Sequence, residues 1–186
     1  MTSRPVTALL LVDVINSFFR PGDPNYYPKA DQVLEPIRQL LDKARACGTL
    51  VVHTAERHRE GIYDFEWAKL PVHHIEGDDT IDFVEGFGPL PSEPVVYKRR
   101  YSAFYATDMA LMLREQNVSR LVIVGVKTNC CIRATVQDAF AGGFEPVVVR
   151  EATNSNRPHL EEASLEDIWR YFGQVVPLSE GLELLA

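Results

Sequence analysis

The chain has 186 residues, 46% of them hydrophobic, and a formal net charge of −7. The length suits a single domain over 1–186, and the acidic balance argues against nucleic acid or an anionic membrane as a partner. No apolar run approaches the ~20 residues that span a bilayer, and the opening MTSRPVTALLLVDV has no signal-peptide layout, so a cytoplasmic location is expected.

Strand-like and helix-like segments alternate along the chain. Residues 8–12 (ALLLV) form a continuous apolar run, the mark of a strand buried on both faces. In 31–47, Val33, Leu34, Ile37, Leu40, Leu41 and Ala44 recur at helical spacing, Gly48 is a stop, and Pro36 blurs the start. Cys47, late in this helix, reads as core filler. Residues 49–54 are a second strand. Residues 55–92 have no period and carry Gly and Pro, so they read as a functional loop region or lid. Residues 94–97 are a short third strand, and Thr107 or Asp108 caps a helix through Leu113. Residues 120–126 are the fourth strand. The helix 131–141 places Ile132, Val136, Ala139 and Phe140 on one face, ended by Gly142 and Gly143. A fifth strand at 146–150, a helix at 160–172 and a sixth strand at 174–177 follow.

This alternation implies a three-layer α/β/α, doubly wound parallel sheet of six strands. Such sheets bind ligands beyond the carboxyl ends of their strands. Asp13 stands at such an end, where an unpaired carboxylate would be expensive. Lys98 ends PVVYK; alone it reads as part of a solvated basic patch with Arg99 and Arg100, and a partnership with Asp13 changes that. Cys130 and Cys131 sit where a strand meets a helix. The helix period puts Cys131 in the first turn, where free N–H groups lower a thiol's pKa, and Cys130 in the preceding turn. The backbone N–H groups of Cys130 and Cys131 then offer an oxyanion hole. In this reading Cys131 attacks a carbonyl, Asp13 carries the proton, and Lys98 holds the charges in place. The alternative is that both cysteines are buried small hydrophobes.

Three motifs carry a family resemblance. LLLVDVINSFF, VVYKRRYSAFYATDM and GVKTNCCIRATVQDA resemble, in order, the aspartate, lysine and nucleophile segments of the isochorismatase-like cysteine hydrolases. The family includes nicotinamidase, N-carbamoylsarcosine amidase, ureidoacrylate hydrolase and biuret hydrolase. Ile15 departs from the family's usual Gln, while Asn16 and Phe18 fit. The resemblance implies strand order 3-2-1-4-5-6, catalytic Asp13, Lys98 and Cys131, and a cis peptide between Val126 and Lys127. Asn16, Phe18 and Thr128 within the motifs, and Tyr27, Trp67 and Tyr105 as large groups in or near loops, are candidate contacts for a small-molecule substrate. Tyr26 and Trp169 are further large groups for the pocket or a subunit interface, and the resemblance implies a homodimer or homotetramer. One tension follows: the strands of Lys98 and Asp13 lie two apart, roughly 10 Å at ~4.8 Å per strand.

The implied reaction is cleavage of a C–N bond in a small amide or ureido compound through a thioester, with no cofactor. Arg57, Arg99 or Arg100 is a candidate for a substrate carboxylate, or a surface charge. A second reading is a nicotinamidase-type metal site on Glu56, His58 and His73; the favoured reading leaves them as polar lid residues with no metal. A third is a non-catalytic or redox module using Cys130 and Cys131.

Overall fold

The computed structural model describes residues 5–186. In chain order the elements are β1 (Thr7–Val12), a single turn α1 (Asn16–Phe19), α2 (Leu34–Cys47), β2 (Leu50–Glu56), β3 (Val95–Lys98), α3 (Met109–Glu115), β4 (Arg120–Val126), α4 (Arg133–Ala141), β5 (Glu145–Asn154), α5 (Pro158–Asp167), β6 (Gln174–Val176) and α6 (Leu178–Leu184). All strand pairs are parallel and the six-stranded sheet runs β3-β2-β1-β4-β5-β6. The expected fold and strand order are therefore observed.

Strand alternation divides the core between two faces. Leu9 and Leu11 of β1 pack with Val122 and Val124 against Ile37, Leu40 and Leu41 of α2. Ala8, Leu10 and Val12 face the other way, with Leu121 and Ile123, toward Met109, Val136 and Leu165. Each fully buried Leu or Ile contributes about 1.5–3 kcal/mol before entropy is counted, and less against a compact unfolded chain.

Several expectations change. Helix α2 begins at Leu34, after a 3-10 turn at Ala30–Val33, because Pro36 is tolerated in a first turn but not deeper. Cys47 is exposed rather than core filler, since the buried stripe of α2 ends at Ala44. Phe140 is 52% exposed rather than facing the sheet; Ile132, Val136 and Ala139 fill that face. Strand β5 runs on to Asn154 through an irregularity in its pairing with β4. Helix α6 has no sequence signal, and Gly181 within it argues against a helix. It exists because Gly181 packs tightly on β5: a Cβ there would lie 2.6 Å from Val149 Cγ2. Among the described residues no helix is long and apolar enough to cross a membrane.

Candidate active site

The carboxyl ends of β1, β2 and β3 bring three buried charges together. Glu56 pairs directly with Lys98 in the β2–β3 ladder, and Asp13 follows Val12, whose partner is Thr54. Asp13 adopts a left-handed backbone conformation (φ 54°), its N–H reaches the Thr54 carbonyl at 3.2 Å, and its Oδ1 accepts from the Thr54 hydroxyl at 3.0 Å. Lys98 Nζ lies 2.7 Å from Asp13 Oδ2 and 3.4 Å from Glu56 Oε2, and donates to the Arg100 carbonyl at 3.2 Å.

The fourth group arrives from β4. The Val126–Lys127 peptide is cis, and a π turn, Thr128–Ile132, follows before α4 begins. This turn places Cys131 Sγ 3.6 Å from Lys98 Nζ and 3.8 Å from Glu56 Oε2. A carboxylate oxygen of Asp13 lies within 4.8 Å of the sulfur. Cys131 is 3% exposed, whereas Cys130 is half-buried. The Cys130 N–H is taken by the Lys127 carbonyl at 3.0 Å, which removes it from the expected oxyanion pair and leaves the Cys131 N–H.

Electrostatics follow from this packing. A hydrogen bond with Cys130 and then burial hold the Cys131 thiol well above its ordinary pKa, against the pull of Lys98. The expected lowering by a helix N-terminus is therefore overturned: Cys131 precedes α4 within a π turn, and the resting group is a thiol that must lose its proton on attack. Burial works against a charged Lys98, but Asp13, Cys131 and Glu56 more than offset it and its pKa is well raised. Burial likewise penalises ionised Glu56, while Lys98 and hydrogen bonds from His58, His73 and His74 bring its pKa well below the usual range.

A cavity of about 190 Å³ opens beside Cys131, lined in part by Phe18, Asn25, Tyr101, Lys127 and Asn129. Of the six expected contact residues, Phe18 alone is in this wall. Asn16 turns outward to the Asp79 carbonyl at 3.2 Å. Tyr27 is buried and donates to Asn154 Oδ1 at 2.6 Å. Thr128 bonds the Thr153 hydroxyl at 2.8 Å, beneath the turn. Trp67 packs on the His58 ring at 5.8 Å. Tyr105, 61% exposed, borders a separate groove of about 550 Å³ that reaches neither Cys131 nor Lys98. The three candidate arginines are engaged: Arg57 with Glu76 at 3.4 Å, Arg99 and Arg100 with Asp64 at 3.0 and 2.9 Å.

Glu56, His58 and His73 are not solvated lid residues. Backbone bonds between His58 and the 74–76 segment fold the loop over β2 and bury all three. Glu66 joins them, and one ligand atom from each of the four lies within 4.8 Å of the others. Neither Glu66 oxygen receives a hydrogen bond; His58 Nε2 and Arg100 stand 3.7 and 3.8 Å away. Two imidazoles and two carboxylates suit a divalent transition metal, so the donor set fits one. Glu66 was missed in the sequence because its spacing from His58 matches no familiar ligand pattern.

Comparison with known proteins agrees with this architecture. A family model described as the isochorismatase domain matches residues 7–180. Maleamate amidohydrolase of Pseudomonas putida is 37% identical over 183 residues, covering 96% of this chain and 86% of the relative. N-carbamoylsarcosine amidase of an Arthrobacter species is 29% identical, covering 93% and 68%. The crystal structure of an isochorismatase family protein from Desulfovibrio vulgaris superposes with a TM-score of 0.88 at 31% identity, covering 98% of this chain and 99% of that one. The chain belongs to the isochorismatase family.

Proposed function

We propose that the protein is a cysteine-dependent amidohydrolase, cleaving the C–N bond of a small amide or ureido compound through a thioester. The observation that carries this reading is one ammonium, Lys98 Nζ, held 3.6 Å from the Cys131 sulfur and 2.7 Å from the Asp13 carboxylate. On attack, Cys131 Sγ bonds to the carbonyl carbon and its proton passes to Asp13. The Cys131 N–H supports the developing oxyanion. Asp13 returns the proton to the leaving nitrogen, the C–N bond breaks, and ammonia departs. Water then cleaves the thioester, with Asp13 as base, restoring the thiol and releasing the acid. Lys98 compensates the negative charge that moves between sulfur and carboxylate. The relatives named maleamate amidohydrolase and N-carbamoylsarcosine amidase support small amide and ureido compounds as the substrate class.

The test is ammonia release across ureido acids, maleamate, biuret, nicotinamide and simple amides, with Cys131→Ser as control. Release from none of them, with Cys131 unreactive toward iodoacetamide, would leave a non-catalytic module.

A second reading, a metal-assisted amidase of nicotinamidase type, is favoured by the buried cluster of Glu56, His58, Glu66 and His73. These residues would hold the ion, which would supply Lewis-acid polarisation of a substrate oxygen or ring nitrogen. Metal content of purified wild type against His58→Ala and Glu66→Gln separates the two readings: stoichiometric metal lost in both variants supports the second.

A further inference from the structure

Among the described residues one cation in the Cys131 cavity, Lys127, has no ion-pair partner. Lys127 is half-buried in the cavity wall beside Cys131, Phe18 and Asn129. Its ammonium stands over the Phe18 ring at 5.5 Å and the Tyr27 ring at 5.2 Å. Among the described residues no carboxylate comes within the 4.0 Å of an ion pair, and no acceptor takes a hydrogen bond from Nζ. The neighbouring cations are all committed: Lys98 to Asp13 and Glu56, Arg57 to Glu76, Arg99 and Arg100 to Asp64.

A lysine half-removed from water and left unpaired is costly. Burial pushes its pKa down, and the two thiols and Glu56 push back. Two aromatic faces recover part of that cost, since ring quadrupoles attract a cation. They leave its hydrogen-bond donors unused. Asn129 is arranged in a complementary way. Its Oδ1 accepts from the Ser155 hydroxyl at 2.6 Å, which leaves its Nδ2 as the donor on the cavity wall. An ammonium and an amide N–H₂ in one small cavity make a site for a planar anion. At about 190 Å³ the cavity falls below the ~300–1,000 Å³ of drug-sized sites, so it suits a molecule of a few carbons.

We infer that Lys127, assisted by Asn129, anchors a substrate carboxylate, so that the enzyme's substrate is a short acid carrying an amide or ureido group. The inference rests on the amidohydrolase reading and narrows it. With the carboxylate on Lys127, the amide carbonyl lies toward Cys131. For an amido acid the balance is −OOC–R–CO–NH₂ + H₂O → −OOC–R–COO− + NH₄⁺. Lys127 is a specificity residue in this scheme; the contact with the reacting sulfur belongs to Lys98.

The test compares succinamate with 4-oxopentanamide, in which a methyl ketone replaces the carboxylate, in wild type, Lys127→Met, Lys127→Arg and Asn129→Ala. The readout is the ratio of kcat/KM for the acid to that for the neutral amide. Losing a hydrogen bond to a charged group should lower this ratio roughly 10–100-fold in Lys127→Met, and less in Asn129→Ala. Lys127→Arg should restore most of it. A ratio unchanged in both Lys127→Met and Asn129→Ala overturns the inference. A second measurement needs no turnover: succinate should protect Cys131 from iodoacetamide in wild type, and Lys127→Met should need at least roughly tenfold more succinate. Wild type that hydrolyses neither amide yet shows this protection loses the amidohydrolase reading and keeps the anion site. Absence of protection in wild type overturns the anion site. If Lys127→Met does not fold, Asn129→Ala and Lys127→Arg give both readouts.

Discussion

Lys98 Nζ touches Asp13 Oδ2 at 2.7 Å although β2 lies between their strands. The strand spacing alone would separate them by roughly 10 Å. The gap closes because Lys98 extends along the sheet's edge, over the end of β2, where Glu56 pairs with it in register. Both side chains have no solvent exposure. The lysine therefore compensates two buried carboxylates at once, and the thiol sits on its remaining side.

That arrangement makes Lys98 a stability residue as well as a site residue. Lys98→Met should leave Asp13 buried and uncompensated, and Glu56 with its imidazole partners alone. Breaking a buried pair typically costs about 3–5 kcal/mol, or roughly 6–20 °C in Tm for a chain this long. Single-turnover acylation should fall as well in whatever fraction stays folded. Thermal melts beside rapid-quench rates check this; a variant that melts like wild type would mean the carboxylates are neutralised some other way.

Cys131 and Cys130 should behave differently. Cys131→Ser should reduce turnover to background, because an alkoxide is far harder to form than a thiolate. Cys130→Ser should retain activity within an order of magnitude, since Cys130 lies half-exposed at the rim. Iodoacetamide should label exposed Cys47 whether or not substrate is present, whereas substrate should slow the labelling of buried Cys131. Ammonia release and mass spectrometry of the labelled peptide decide the matter, and exchanged outcomes would reassign the nucleophile.

Asp13 and Lys98 are legible as the ends of strand-like runs and Cys131 as the junction of a strand and a helix, and the motif spacing of the family resemblance picks out all three. The doubly wound parallel sheet follows from strand–helix alternation, while its strand order is what the family resemblance implies. Glu56 is legible only as a candidate ligand, since the strand-like run stops at Thr54, whereas pairing with β3 carries β2 on to Glu56. Lys127 is legible only as one side of the cis peptide, because the side chain of a lone lysine after a strand looks solvated until the turn folds it inward over Phe18 and Tyr27. Tyr27 and Thr128 were misjudged for the opposite reason. Their polar atoms are satisfied by Asn154 and Thr153 of β5, a strand whose length the sequence concealed.

Gly125 should be irreplaceable. Its φ is +116°, and a Cβ there would stand 2.1 Å from the Val12 carbonyl oxygen. Gly125→Ala must strain its own backbone and push β1 from β4 beside Asp13. Roughly 3 kcal/mol or more should be lost in urea denaturation. Gly143 has φ +83° but open space around it, so Gly143→Ala should cost only about 1–2 kcal/mol. Equal losses at the two positions would remove the argument from close approach.

Acid should weaken the fold through Glu93 and His53. Glu93 binds Arg45 at 2.7 Å and His53 at 2.9 Å, tying α2 to β2. Burial disfavours its charge, but Arg45, the Leu90 N–H and His53 bring its pKa down to about 2. An unfolded Glu titrates near ~4.3, so its stabilisation is present above that pH and is lost as pH falls toward 2. Burial lowers the His53 pKa despite Glu93. The unfolded chain then binds a proton below ~6.5 that the folded chain resists, which adds loss in the same direction. Glu93→Gln should melt lower at neutral pH and show a shallower fall in Tm between about pH 5 and about pH 3. Parallel wild-type and variant slopes would show that other carboxylates carry the acid sensitivity.

Two carboxylates border the Cys131 sulfur within 4.8 Å, and their surroundings separate them as candidates for its proton. Glu56 Oε2 is 3.8 Å from the sulfur. Its Oε1, however, accepts from His58, His73 and His74 at 3.2, 3.0 and 3.3 Å, and its pKa is held well below the usual range. A carboxylate so stabilised as an anion is a weak base. Asp13 has fewer anchors, the Thr54 hydroxyl on one oxygen and Lys98 on the other. It is therefore expected to carry the proton. Asp13→Asn is a clean probe, because Asn tolerates the left-handed backbone that Asp13 adopts. It should fold and lose about 10²–10⁴-fold in single-turnover acylation. Glu56→Gln should lose less in acylation and more in Tm, since three buried imidazoles and Lys98 lose their anion together. A folded Asp13→Asn that acylates at the wild-type rate, alongside a Glu56→Gln that does not, would move the proton-carrying role from Asp13 to Glu56.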